Sequence, residues 1–469
     1  MSELYWKPAH ELAAMIRNRD IKAAELMDLT IKRIEQTNPK LNAFCALRAD
    51  DAMADARALD EKIARREKLG PLAGLPLGVK DLEDASGLPT THGSKPFKDH
   101  MPSADSVQVS RLKAAGAIVI GKTNAPEFGY TAFTKNLLFG VTRNPWNLAK
   151  TPGGSSAGAA ASVAAGITPF ALGTDGGGSI RIPAAFTGCY GIKPTRARVP
   201  AWPTSPLGTL AHVGCLTRSV ADAALALTII AAPDIRDVYA WTSPAPDFRI
   251  GLDNGVRGMR IAYSPRLGYA TRIDPEVEAA VTSAVQVLAE LGAHIDETDP
   301  EIGGDPIATW NTLWWSSFAT LLQPYGERVG KEAEPALVAA AAQGLKTSVA
   351  DYIRAQLKRA ELHIAFARFF ERYDLLLTPT MPLPAFDVGH VVPPSGDSGE
   401  AWTDWSPFSY PFNLTQQPAA SIPCGLTRTG LPIGLQIVGA IGADALVLRA
   451  SRALEEARPF SALSEPRTR

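Results

Sequence analysis

The chain has 469 residues, enough to bury a large core and, on length alone, to form two or three domains. Hydrophobic residues make up 46% and charged residues 20%, the composition of a soluble globular protein, and 47 Lys plus Arg against 48 Asp plus Glu argues against nucleic-acid binding driven by phosphate neutralisation. Four scattered cysteines (Cys45, Cys189, Cys215, Cys424) have neither metal-ligand nor disulfide-framework spacing. That cysteine spacing predicts no metal, and since the opening MSELYWKPAHELAAM lacks a basic end followed by an unbroken apolar run, a reducing cytoplasm is the expected setting.

Residues 9–67 read as two or three helices. Leu12, Met15 and Ile16 share a face, Ala24, Met27, Leu29 and Ile31 continue the apolar pattern, and Asn38-Pro39 interrupts it. This region, about 1–70, is expected to pack or to make an oligomer contact, which leaves a homodimer open, and to carry no chemistry. Leu77–Val79 reads as a buried strand delivering Lys80. Ser106–Ala115 reads as an amphipathic helix stopped by Gly116, and Ala117–Ile120 as a strand. Ser219 is a plausible cap for a helix reaching Ala231, residues 233–258 look irregular, Arg260–Ser264 reads as a strand, and Asp274-Pro275 opens a helix that Gly292 ends. This alternation, without repeats or a flexible linker, predicts one α/β domain over 1–469: a mixed sheet covered by helices.

The centre of the chain is Thr151–Thr195, 45 residues with three formal charges, Asp175, Arg181 and Lys193. Glycines bracket two serine sites, Gly153-Gly154-Ser155-Ser156 and Gly176-Gly177-Gly178-Ser179. Between them an alanine-rich helix is expected, capped by Ser155 or Ser156 and ended by Gly166, followed by a buried strand over Ile167–Leu172. Thr151–Thr174 carries no charge, but its prolines, glycines and hydroxyls argue against a membrane span.

Two short patterns mislead. Gly116-Ala117-Ile118-Val119-Ile120-Gly121-Lys122-Thr123 fits the P-loop expression, yet its variable residues read as a strand and Asn124-Ala125-Pro126 follows the lysine in place of a helix. Gly154-Ser155-Ser156-Ala157-Gly158 fits the nucleophile-elbow expression, but Asn144–Pro152 is loop-like where a strand is required, and His212, His294, His363 and His390 lack catalytic contexts.

The pair GGSS and GTDGGGSIRIPAAF, with Ser179 lying 24 residues after Ser155, resembles the amidase signature family, as does GLPLGVKD, whose Lys80 precedes Ser155 by 75 residues. Gly121–Asn124 with Glu127–Gly129, Arg143–Trp146, Gly191–Thr195, Asp374–Thr380 and Gly430–Gln436 extend the similarity, in order, over nearly the whole chain. The resemblance implies that neutral Lys80 takes a proton from Ser155, which takes one from Ser179, so that Ser179 attacks an amide carbonyl and forms an acyl-enzyme. A lysine can act so only if burial lowers its pKa, and Leu75, Leu77, Val79 and Leu82 supply apolar surroundings. It further implies an oxyanion site from the backbone N–H groups of Gly176, Gly177, Gly178 and Ser179, a cis Gly154–Ser155 peptide, and supporting roles for Ser156, Asp175 and Arg181.

Alanine at 157 departs from the glycine pairs usual in the family and matters only if its φ must be positive. Trp310, Trp314 and Trp315, with Trp402 and Trp405 in Gly399–Tyr410, are candidate walls of a substrate pocket and favour a hydrophobic or aryl amide, with esters or carbamates open to the same chemistry. The expected partners are therefore a small amide and water, with no cofactor. Two alternatives stand beside this. The amidotransferase subunit that supplies ammonia to misacylated tRNA places an acid seven positions before the residue matching Asn413, where this chain has Ser406; a catalytically silent relative would normally have lost a triad member.

Overall fold

In a computed structural model, which describes residues 2–394 and 401–459, the strands in chain order are β1 (Phe44–Leu47), β2 (Pro76–Lys80), β3 (Ile118–Thr123), the short pair β4 (Lys135–Asn136) and β5 (Gly140–Val141), β6 (Phe170–Asp175), β7 (Tyr190–Lys193), β8 (His212–Thr217), β9 (Arg260–Tyr263), β10 (His294–Glu297), β11 (Leu375–Pro379), β12 (Ala419–Leu426) and β13 (Pro432–Gly439). Eleven of them form one sheet in the order β1-β3-β2-β6-β8-β7-β12-β13-β11-β9-β10. β3, β2 and β6 run parallel, as do β11, β9 and β10; the strands between these blocks pair antiparallel. The mixed α/β sheet expected from the sequence is therefore present.

The helices are α1 (Ala9–Asn18), α2 (Ala23–Leu41), α3 (Ala49–Ala64), α4 (Val107–Ala114), α5 (Ala157–Ala164), α6 (Arg181–Thr187), α7 (Val220–Ile230), α8 (Pro275–Glu290), α9 (Ile307–Leu322), α10 (Gly326–Glu332), α11 (Pro335–Gly344), α12 (Val349–Arg372), α13 (Pro411–Leu414) and α14 (Asp444–Ala457). Strand side chains alternate between two cores, as the two-residue repeat of a strand requires. Leu375 and Leu377 join a core with α7, α8 and α14, while Leu376 joins the aromatic core with α9, α11 and α12. The caps at α7 and α8 follow the sequence: Ser219 accepts from the Asp222 N–H at 3.2 Å, and Asp274 from the Glu276 N–H at 2.8 Å.

Several boundaries differ from expectation. The N-terminal region is not purely helical, because β1 leaves it to pair with β3 at the sheet edge. β3 extends to Thr123, so Lys122 stands on a strand, the reverse of the P-loop arrangement. β6 begins at Phe170, not Ile167. The residues after α5 close a turn in which the Ile167 N–H donates to Ser162 C=O at 2.8 Å and the hydroxyls of Ser162 and Thr168 lie 3.0 Å apart. Among the described residues no helix is long and apolar enough to cross a membrane.

Candidate active site

Lys80 is the last residue of β2 and Asp175 the last of the neighbouring parallel strand β6, so both are delivered at the carboxyl ends of parallel strands. α5 packs against β2, β3, β6 and β8 with all eight of its residues buried. Its alanine and glycine composition makes that possible. A Cβ on Gly158 would lie 2.3 Å from Ala43 O and 2.4 Å from Asn124 N, so only glycine permits this approach of helix to backbone. Ala157 is helical, with no positive φ, and tolerates its side chain.

The Lys80 side chain is 0% exposed. Its Nζ is hydrogen-bonded to Ser155 Oγ (2.6 Å), Ser156 Oγ (2.9 Å) and Thr174 Oγ1 (2.8 Å), with Thr174 O at 3.4 Å. Burial lowers its pKa to about 7, against the upward pull of the Asp175 and Glu83 carboxyls. Asp81, adjacent in sequence, is occupied elsewhere: it accepts from the N–H groups of Thr91 (3.0 Å) and Gly93 (3.1 Å) and stands 4.0 Å from Lys122. The Gly154–Ser155 peptide is cis. Ser156 occupies the cap position of α5, but its hydroxyl makes no capping bond; it serves Lys80 and donates to Thr174 O at 3.2 Å. The expected serine cap is therefore replaced by a link to the lysine.

Ser179 follows the second glycine loop and is 7% exposed. Among the described residues its hydroxyl makes no hydrogen bond, to Ser155 or to any other group. The two serine loops are joined instead through the backbone, Ser156 N–H donating to Ser179 C=O at 3.1 Å. The N–H groups of Gly176, Gly177 and Ser179 are likewise unpartnered among the described residues, although all three residues are buried. Gly178 is different. Its N–H donates to Asp175 Oδ1 at 2.7 Å, which removes it from the expected set of oxyanion donors. Gly178 has φ +122°, and a Cβ there would lie 2.6 Å from Ser409 Cβ and from Ile182 Cδ1.

Asp175 and Arg181 are both 0% exposed and form a two-pronged pair at 2.9 Å. Arg181 also donates to Ser409 O (2.9 Å), Gln436 Oε1 (2.8 Å) and Asn413 Oδ1 (2.7 Å), and Asn413 Nδ2 donates back to Asp175 Oδ1 at 2.9 Å. Burial alone would raise the Asp175 pKa, but the Arg181 charge and hydrogen bonds, with Lys193 and Asn413, hold it below the usual carboxylate range. Thr174, Ser409 and Gln436 are not singled out by the sequence, although Thr174 and Gln436 lie inside its recognisable stretches.

A cavity of about 420 Å³ reaches Thr174 and Gly176 and is walled largely by Leu82, Phe97, Phe128, Leu207, Phe318 and Tyr325. Ser155 and Ser179 do not line it, but the turn Glu127–Gly129 connects the two. Phe128 (φ 50°) lines the cavity, and a Cβ on Gly129 would lie 3.2 Å from Ser155 Oγ. A wider groove of about 760 Å³ over Arg266, Tyr269, Asp305 and Trp405 touches neither serine nor Lys80.

None of the five candidate tryptophans walls the 420 Å³ cavity. Trp310 and Trp314 stack at 4.5 Å beneath the glycine loop, Trp310 Nε1 donating to Gly176 O at 3.2 Å, and Trp402 packs edge-on to Trp310 at 5.3 Å. Trp315 faces a shallow groove with Gln343 and Arg354, and Trp405 packs on Phe186 and Phe386 beside the wider groove. Aromatic residues of this size bury best as support, as Trp310, Trp314, Trp402 and Trp405 do, whereas Trp315 is half-buried. Positions 399 and 400 of the expected wall lie outside the described residues.

A family model described as Amidase matches residues 25–448. The chain belongs to the amidase signature family. It is 37% identical over 467 residues to an acylamidase of Rhodococcus erythropolis, covering 98% of this chain and 97% of that one. The crystal structure of a bacterial aryl acylamidase of the same family superposes with a TM-score of 0.93 at 34% identity, covering 99% of each chain. A glutamyl-tRNA(Gln) amidotransferase subunit of Moorella thermoacetica is also 37% identical, over 482 residues and 98% of each chain. As an amidase the chain is a hydrolase of amide C–N bonds.

Proposed function

We propose that this amidase cleaves hydrophobic or aryl carboxylic amides through an acyl-enzyme on Ser179. The observation that carries the chemistry is the fully buried Lys80 amine 2.6 Å from Ser155 Oγ. An amine that titrates near 7 is neutral in a large fraction of molecules at neutral pH and can accept a proton. Lys80 takes the Ser155 proton, Ser155 takes the Ser179 proton, and Ser179 Oγ attacks the carbonyl carbon. The step from Ser179 to Ser155 requires the unbonded Ser179 hydroxyl to turn toward Ser155, a tightening common when substrate completes a site. The free N–H groups of Gly176, Gly177 and Ser179 receive the developing oxyanion. Ser155 then protonates the leaving nitrogen as the C–N bond breaks, and water hydrolyses the ester along the same route. The same acyl-enzyme would admit esters or carbamates.

Sequence identity does not separate an acylamidase from an amidotransferase subunit here, since both relatives stand at 37%. Ser406 does favour the former. It is fully buried, and its hydroxyl donates to the backbone carbonyls of Trp402 and Thr403, both at 3.3 Å, so no carboxylate is offered to the amino group of glutamine. The apolar walls of the 420 Å³ cavity support the hydrophobic substrate. We read the enzyme as acting in the cytoplasm on small amides, with a homodimer open.

The test is kinetic. Anilides should exceed aliphatic amides and glutamine in kcat/KM, and a fluorophosphonate should add its mass at Ser179. Ser179→Ala and Lys80→Ala should each lower kcat by roughly a thousandfold or more. Near-normal turnover in either variant removes the assigned roles.

A further inference from the structure

Glu83 lies three residues beyond Lys80, its N–H donating to Lys80 C=O at 2.9 Å, and is 9% exposed. Gln108 on α4, 1% exposed, donates through Nε2 to Glu83 Oε2 at 2.8 Å. Both residues line the 420 Å³ cavity, as does His212. Among the described residues Gln108 Oε1 and His212 Nε2 have no hydrogen-bond partner. His212 Nδ1 lies 2.9 Å from Leu210 O, which places the proton on that nitrogen and leaves Nε2 with a bare lone pair. The cavity is thus apolar along most of its surface and carries, at Gln108 and His212, acceptors that no donor meets among the described residues.

Buried acceptors without partners are uncommon and call for an explanation. A bridge between Glu83 and Gln108 serving only the fold would leave no oxygen unpaired. The hydrolytic relay uses neither residue. Burial also pushes the Glu83 carboxyl up to about 7, against the downward pull of Ser106 and Lys122, as a carboxyl in dry surroundings should behave. A cationic ligand group would shed its hydration beside the buried Lys122, whose charge acts on Glu83. A neutral donor bears no such penalty.

We propose that Glu83 and Gln108 form a subsite that binds a neutral hydrogen-bond donor, a hydroxyl or an amide N–H, carried on the hydrophobic part of the amide substrate. The proposal rests on the reading of the cavity as the substrate site and deepens it: the preferred substrate is apolar in bulk and polar at one point. Sites built to pair a substrate hydroxyl reject the analogue lacking it far more strongly than apolar pockets distinguish by size.

The experiment measures binding, not turnover. Full-length Ser179→Ala protein is titrated calorimetrically with ring-substituted anilides in matched pairs, hydroxymethyl against ethyl at the ortho, meta and para positions. At one position the hydroxymethyl ligand should bind about tenfold more tightly, and that preference should fall below about threefold when Glu83→Leu or Gln108→Leu is added. The second variant covers failure of the first to fold. Equal affinities at every position, no binding of either series at millimolar concentration, or a preference surviving in both variants would overturn the subsite. Hydrolysis of anilides by Ser179→Ala would instead overturn the acyl-enzyme reading and leave the comparison of affinities standing.

Discussion

Lys80 meets four oxygen contacts from three neighbours with none of its surface exposed, and its proton affinity in the folded chain differs from that in the unfolded one. It titrates at about 7 when folded, against an ordinary value of 10.5. Between those values the unfolded chain binds more protons at this position, so stability rises with pH from about 7 to 10.5; below 7 the penalty of the buried ammonium is largest and constant. The melting temperature of the wild type relative to Lys80→Met should therefore shift in favour of the wild type between about pH 7 and 10, and a flat difference would contradict the buried-amine account. Activity should follow the same group: kcat/KM rises with pH through about 7 as the amine loses its proton. The residues proposed for the relay stand out in the sequence because their spacing is carried by whole patterns. The loss of Gly178 as a donor is not, since it depends on where the Asp175 carboxylate turns, and a string of glycines carries no record of that.

At the scale of elements, α5 shows how composition can specify a location. Its alanines suit close packing, and the helix is buried throughout, with its end near Gly166 as expected. What the pattern lacks is the exact start of β6, because the hydroxyls of Ser162 and Thr168 close a local turn that postpones the strand. The tryptophans of α9 depart from expectation for a related reason. Aromatic spacing on a helix fixes a face, but not whether that face meets substrate or the underside of a loop. Gly158→Ala would force a methyl group against three backbone atoms, Ala43 O and the N and O of Asn124, in the segments flanking β1 and β3. We expect it to destabilise by about 3 kcal/mol, at the upper end for overpacking, measurable by urea unfolding, whereas Gly140→Ala, with no atom within 4 Å of the added carbon, lets its φ of +82° be judged alone.

For the whole molecule, a single sheet from β1 to β10 supports reading the chain as one domain, and Arg181 is the point where its distant parts meet. Through that guanidinium β6 and α6 are bound to Ser409, Asn413 on α13 and Gln436 on β13. Replacing it with Met strands the Asp175 carboxylate in a dry interior, and Arg181→Met should lower stability by about 3–5 kcal/mol. Chemical denaturation checks the magnitude, and a change below about 1 kcal/mol would show that the pair is dispensable. The same knot sets an order of events during synthesis. A ribosome that has just added residue 179 has made every group assigned to the relay, yet the residues that clamp the loop around it are more than two hundred codons away. The half-made chain therefore holds every side chain proposed for the relay before Ser409, Asn413 and Gln436, which bind Arg181 beside it, have been made.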